Sequence, residues 1–119
     1  MSKIVVVGLG YVGLPLAVAF GKKGHEVTGI DLKQSKLDEL KVGYDSMNEV
    51  SKDDLIKSNI TYTSNFNDIQ KPDFIVVAVP TPVDDHKQPD LTPIIKASEA
   101  IAPYLNDGVI VLYESTVYP

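Results

Sequence analysis

The chain has 119 residues, 44% of them hydrophobic and 23% charged, with a formal net charge of −5 and no cysteine. That length fits one domain with a core of its own, and the acidic balance argues against a nucleic-acid surface, which needs a basic face. Without cysteine, these residues hold no disulfide, thiolate zinc site or thiol nucleophile, and the first apolar run is closed by Lys22, Lys23, His25 and Glu26, short of a membrane span.

Residues 3–8 (KIVVVG) form a β-branched run ending in glycine and predict a fully buried strand. A single lysine, Lys3, precedes the apolar residues of this run and no small-residue cleavage pattern follows them, so no signal peptide is read and a cytoplasmic location is expected. Residues 12–23 suit a helix, with Pro15 in the first turn, where a missing N–H costs nothing, and Gly24 as a C-terminal cap. Residues 26–31 (EVTGID) read as a second strand, and 34–41 as a short helix with Leu37 and Leu40 on one face. Residues 42–58 are polar, with Ser51 placed to cap a small helix around 53–57. Residues 60–63 (ITYT) predict a third strand and 74–79 (FIVVAV) a fourth. Residues 80–90 read as a loop rich in proline and charge, and Asp90 or Thr92 as the cap of a helix running to about Leu105. Asn106, Asp107 and Gly108 then turn the chain into a fifth strand at 109–113.

Strands therefore alternate with helices. Continuous β-branched strands joined by helical crossovers imply an α/β fold with a doubly wound parallel sheet, covered on both faces. The last predicted strand has no closing helix after it, so the expectation is a domain cut short at its C-terminal end.

The sequence GLGYVG at 8–13 is a G-x-G-x-x-G motif. Alone it is a weak signal. Here it follows a strand, opens a helix, and is answered by Asp31 at the end of the next strand, 18 residues after Gly13. Gly8 permits the tight turn, Gly10 lets a pyrophosphate approach the backbone, and Gly13 lets helix and strand pack closely. The helix N-terminus offers unpaired N–H groups and partial positive charge to phosphate. Asp31 can accept hydrogen bonds from ribose hydroxyls and repels a 2′-phosphate, so NAD is expected over NADP, a preference that Lys33 and Lys36 soften. The Rossmann dinucleotide-binding fold follows.

In this fold ligands sit outside the carboxyl ends of the strands. VPTP (79–82) and ESTVYP (114–119) fall there, which places Thr81, Glu114, Ser115 and Thr116 near a cofactor or substrate. By the turn rules alone a proline-stiffened turn accounts for Thr81 equally well; a helix cap is the alternative for Ser115 and Thr116, and an ordinary exposed charge for Glu114. Tyr11, inside the glycine loop, is the tyrosine placed to touch a cofactor. His25 and His86 have no partner pattern for metal or triad chemistry. Asp84, Asp85 and Asp90 read as a solvated loop, since their spacing matches no metal loop, and no metal site is expected.

GLGYVGLPLA, GIDLKQSKLDEL, VPTP and ESTVYP, in that order, resemble the N-terminal NAD-binding domain of the UDP-glucose/GDP-mannose dehydrogenase family. GYDSMNEV, KQPDLTPIIKAS and ESTVYP are most similar to the UDP-N-acetylhexosamine 6-dehydrogenase branch, which makes precursors of bacterial surface polysaccharides. Glu114 stands where the UDP-glucose branch more often has lysine. The resemblance implies oxidation of the sugar's C6 alcohol to an aldehyde and then a carboxylate, reducing two NAD, with a cysteine that holds the aldehyde as a thiohemiacetal and then a thioester. It implies that Gly8, Gly10, Tyr11, Val12 and Gly13 hold the pyrophosphate end, and that Asp31 and Lys36 hold the adenosine end. Thr81 and Ser115 would lie beside the cofactor, and Thr116 would be catalytic, holding a water. The family's cysteine, lysine, asparagine and aspartate come later in the chain. Residues 1–119 are thus expected to be an NAD-binding domain inactive alone, without the central helix and the substrate domain. The full-length protein is expected to be a homodimer or higher and to act on a UDP-sugar, with no nucleic acid or membrane partner. The fragment is expected to be a monomer.

Two other classes share the glycine loop. One is the first domain of another NAD enzyme, such as a 3-hydroxyacid or 6-phosphogluconate dehydrogenase, where VPTP and ESTVYP together are not expected. The other is an NAD-sensing regulatory domain of the potassium-channel kind, which fits the short length but should carry a further helix.

Overall fold

The β-branched runs do form the strands of a parallel sheet. The computed structural model describes residues 2–69, 71–79, 81–82, 85–88, 90–105, 108–114 and 117–118. Within them the chain runs β1 (Lys3–Val7), α1 (Gly13–Lys22), β2 (Glu26–Ile30), α2 (Gln34–Lys41), α3 (Lys52–Ser58), β3 (Thr61–Thr63), β4 (Phe74–Val77), β5 (Thr81–Pro82), α4 (Thr92–Ile101), β6 (Ile110–Tyr113) and β7 (Val117–Tyr118). Single 3-10 turns occupy Phe66–Asp68 and Ala102–Tyr104.

The main sheet has the order β3-β2-β1-β4-β6, and every pairing in it is parallel. Alternate residues of each strand point to opposite layers. Ile4, Val6 and Val76 pack with Leu14, Val18, Leu37, Leu40 and Leu55 from α1, α2 and α3. Val5, Val7, Ile75 and Val77 pack with Ala97 and Ile101 from α4. Burying each such valine, leucine or isoleucine side chain is worth roughly 1.5–3 kcal/mol, and two apolar faces per strand explain runs without alternation. This is the doubly wound Rossmann architecture. The strand order reverses between β1 and β4, so the crevice for a ligand opens where Gly8 leaves β1 and Ala78 leaves β4.

The local end signals act as their chemistry requires. Gly24, at φ +92°, follows α1; its N–H donates to Gly21 O at 3.0 Å and the His25 N–H to Phe20 O at 3.2 Å, a Schellman ending. The Phe20 and His25 rings meet edge to face across it, with centroids 6.3 Å apart. Ser51 Oγ accepts from the Asp54 N–H at 3.2 Å and caps α3. Of the two candidate caps before α4, Asp90 supplies the bond: its Oδ1 accepts from the Thr92 N–H at 2.9 Å, one residue ahead of the helix boundary at Leu91.

Three expectations are corrected. The helix expected to reach Leu105 ends its α ladder at Ile101, because Pro103 has no N–H to donate, and a 3-10 turn follows. The fourth strand stops at Val77 rather than 79, although the Ala78 N–H still donates to Val7 O at 2.8 Å. Thr81 and Pro82, read as loop, form β5, which pairs in parallel with β7 as a second, two-stranded sheet. Two residues are too few to carry a period, and the proline fits an edge position.

Candidate functional site

Gly8 turns the chain out of β1 at φ +95°, and a Cβ there would lie 2.8 Å from the Ala78 carbonyl oxygen. At Gly13 a Cβ would lie 1.7 Å from the Gly8 carbonyl oxygen, so the first turn of α1 sits directly on the loop. Gly10 differs. Its φ is not in the left-handed region, and a Cβ there would meet nothing within 4 Å. Nothing in the fold requires glycine at that position. It leaves a bare stretch of backbone facing open space, the kind of cradle a pyrophosphate occupies.

Beside that cradle, α1 begins without a side-chain cap and without an acidic residue in its first turn. Its positive end is left for an anion. Leu9, between the two glycines, is fully buried, and its side chain packs over Gly29, where a Cβ would meet both Leu9 methyl carbons at 3.1 Å.

Both ends of Leu9 are held by polar side chains. Asp31 Oδ2 accepts from the Leu9 N–H at 3.0 Å, and Lys36 Nζ donates to Leu9 O at 3.3 Å. Asp31 Oδ1 accepts from the Lys33 N–H at 3.0 Å. The acidic residue that ends β2 and the lysine on α2 thus brace the glycine loop itself.

A cleft of about 400 Å³ runs along this loop, lined by Gly8, Gly10, Tyr11, Val12, Asp31, Lys36, Met47 and Glu114 among others. A second of about 560 Å³ adjoins it on the α4 side, with Leu32, Phe66, Asp90 and Lys96 in its wall. Gly8, Asp31, Lys33 and Val79 line both. Hydrogen bonding from the Thr92 hydroxyl and N–H, with the Lys96 charge nearby, holds the Asp90 carboxyl below its usual range. Two lobes meeting at a bare glycine turn suit a ligand with two ring systems joined by an anionic bridge, and the residues present therefore fit a dinucleotide.

Of the residues singled out from sequence, Gly8, Gly10, Tyr11, Val12, Asp31, Lys36 and Glu114 come together in the first cleft. Gly13 lies beneath the loop, buried. Thr81 is in β5, with its side chain outside the described residues, and Ser115 and Thr116 lie outside them altogether. Met47 and Phe66 were not anticipated. Nothing in their local sequence marks them; they reach the clefts through the packing of the loops that carry them. Among the described residues no three histidine, aspartate or glutamate side chains group as a metal site, and no helix is long and apolar enough to cross a membrane.

Comparison with known proteins agrees with this geometry. The model of the UDP-glucose/GDP-mannose dehydrogenase family, NAD binding domain, matches residues 2–119. A UDP-N-acetyl-D-glucosamine 6-dehydrogenase of Pseudomonas aeruginosa is 56% identical over 118 residues, which is 98% of this chain and 28% of the relative. Protein CapL of Staphylococcus aureus is also 56% identical, over 98% of this chain and 27% of its own length. The solved structure of the UDP-N-acetyl-mannosamine dehydrogenase Cap5O from Staphylococcus aureus superposes with a TM-score of 0.83 at 34% identity, covering 99% of this chain and 30% of that one. The chain spans little more than a quarter of the length of the curated relatives it matches.

Proposed function

The chain belongs to the UDP-glucose/GDP-mannose dehydrogenase family as its NAD-binding domain, and from that premise we propose that it is the cofactor-holding part of a UDP-N-acetylhexosamine 6-dehydrogenase. The reaction is the four-electron oxidation of the sugar's C6 alcohol: alcohol, two NAD and one water give carboxylate, two NADH and three protons. The product class suits precursors of surface polysaccharides, made in the cytoplasm. The observation that carries the cofactor half is the open backbone at Gly10 before an uncapped helix. The names of the relatives support the sugar half.

Bound NAD supplies the hydride acceptor. The chain's own residues bind and orient it. Main-chain N–H groups of the glycine turn where α1 begins would hold the pyrophosphate, and Gly8 and Gly13 keep that turn tight. Asp31 would take the adenosine ribose hydroxyls and disfavour a 2′-phosphate, while Lys36 would close the same end. Tyr11 and Val12, in the wall of the first cleft, would lie along the cofactor, and the family resemblance implies that Thr81 and Ser115 would lie beside it. Thr116, which lies outside the described residues, would hold a water at the reacting end, as the family resemblance implies.

NADH formation by the full-length protein tests this reading, with UDP-N-acetylglucosamine, UDP-N-acetylgalactosamine, UDP-glucose and GDP-mannose offered in parallel against NAD and NADP. Two NADH per N-acetylhexosamine, with NAD preferred, is the expected result. NAD binding without oxidation of any nucleotide sugar would overturn the enzymatic reading and favour a sensing module. Residues 1–119 alone are expected to be inactive, since a nucleophilic cysteine is absent from them, and monomeric, since the family resemblance places the dimer contacts in later elements. NADH release by that fragment with a UDP-sugar would refute this.

A further inference from the structure

Asp45 lies outside the cleft and is 6% exposed, yet its carboxylate organises the whole turn that follows it. Oδ1 accepts from the Met47 N–H at 2.9 Å; Oδ2 accepts from the Glu49 N–H at 2.8 Å and the Val50 N–H at 3.0 Å. The Asp45 carbonyl accepts from the Asn48 N–H at 3.1 Å, and Asn48 itself is left-handed at φ +56°. The backbone is wound around one buried charge by charge-assisted bonds, the stronger class of hydrogen bond. An asparagine has one acceptor oxygen in place of two and cannot serve all three donors.

The residue held by Oδ1 is the one that reaches the cleft. Met47 packs against the core formed by α1, α2 and α3 on one side and lines the cleft on the other. Its Sδ lies 3.9 Å from Lys36 Nζ, which in turn donates to Leu9 O in the glycine loop. Contacts therefore run without a gap from Asp45 through Met47 and Lys36 to the loop.

We propose that Asp45 is a positioning residue for the cofactor, fixing Met47 as the wall that holds Lys36 against the glycine loop. The proposal rests on the reading of this cleft as the NAD site. A purely structural Asp45 would change the stability of the protein and leave the NAD affinity of the folded molecule alone. A positioning Asp45 acts on affinity through Met47.

The test is the NAD dissociation constant of the full-length protein, by titration calorimetry, for wild type, Asp45→Asn, Met47→Ala, their double variant and Met47→Leu. Met47→Ala leaves the three Asp45 bonds in place, because they reach main-chain N–H groups. Each of Asp45→Asn and Met47→Ala should weaken NAD binding by about threefold to tenfold, and the double variant should be no weaker than the weaker single. Met47→Leu, which refills the wall, should stay within about twofold of wild type, the range of a volume-conserving exchange. Unchanged affinity in folded Asp45→Asn, or a double variant whose loss is the product of the two single losses, would overturn the proposal. If Asp45→Asn does not fold, the methionine variants decide: wild-type affinity in Met47→Ala overturns it. Wild type that binds no NAD would overturn the reading of the cleft along with it, which separates the two failures.

Discussion

The Gly8–Gly13 turn and the Asp45–Val50 turn contribute to the wall of the same cleft but treat their main-chain N–H groups in opposite ways. In the second, one buried carboxylate accepts from three N–H groups within five residues of itself. In the first, Asp31 takes the Leu9 N–H, and the helix that follows starts with neither a cap nor an acid. The contrast extends to the helices, since α3 starts at Ser51 with Oγ bonded to the Asp54 N–H and with Asp53 and Asp54 in its first turn. A turn that carries its own anion is complete as folded. A turn that leaves the positive end of a helix open is one that can accept an anion from outside.

Substitutions can break this comparison at points of decreasing force. Gly13→Ala should be the most damaging, at about 3 kcal/mol or more of folding stability, because the added carbon would sit 1.7 Å from a carbonyl oxygen that cannot move away. A urea melt within about 0.5 kcal/mol of wild type would show that the loop is not packed as described. Asp45→Ala strips the other turn of its anion and should cost about 2 kcal/mol in the same melt, since three N–H donors lose their partner. Gly10→Ala separates function from fold. Its stability should stay within about 0.5 kcal/mol, while NAD affinity drops about tenfold, because the new methyl meets no protein atom but fills the cradle. Equal NAD affinity in that variant would remove the pyrophosphate from this position.

The smallest effect concerns Tyr62, whose hydroxyl is buried and has no hydrogen-bond partner among the described residues. Burial first, and then the charge of Asp45, push its pKa from 10.0 to about 12. Between those values the unfolded chain gives up the phenolic proton while the folded chain keeps it. The unfolded state then binds fewer protons, and stability falls as pH rises through that window, by about 1–2 kcal/mol. Tyr62→Phe should flatten that part of the pH–stability curve and leave neutral-pH stability unchanged or raised by about 1 kcal/mol. A loss of more than that at neutral pH would mean the hydroxyl is well bonded.

The centre of the sheet was legible because β1 and β4 are buried on both faces and so write themselves as unbroken apolar runs: Ile4 to Val7 and Ile75 to Val77 need no alternation to be recognised. The glycine turn was legible because its chemistry is local, with helix, strand and Asp31 at fixed offsets. GYDSMNEV carried a family resemblance, but its residues gave no structural signal beyond polarity. The Asp45 bonds are also local, reaching two, four and five residues ahead, and an aspartate opening a turn is a known signal. What the sequence could not show is that this carboxylate is buried, because its burial depends on how the turn packs over distant elements. Met47 was hidden for the same reason. The β5–β7 pair was hidden by its length, since two-residue strands have no period and their pairing joins segments 36 residues apart in sequence.

Asp31 ties two properties together. Its carboxylate is bonded to Leu9 and Lys33 main-chain N–H groups, and the same charge is the one proposed to favour NAD over NADP. A change that removes it to admit a phosphate also withdraws a strut from the loop proposed to hold the pyrophosphate. Leu32, 80% exposed in the wall of the second cleft, carries no such duty. Lys33 offers only its main-chain N–H to the loop and leaves its side chain available. Altered coenzyme preference at this site is therefore more accessible, to evolution or to an engineer, through the two positions after the aspartate than through the aspartate itself.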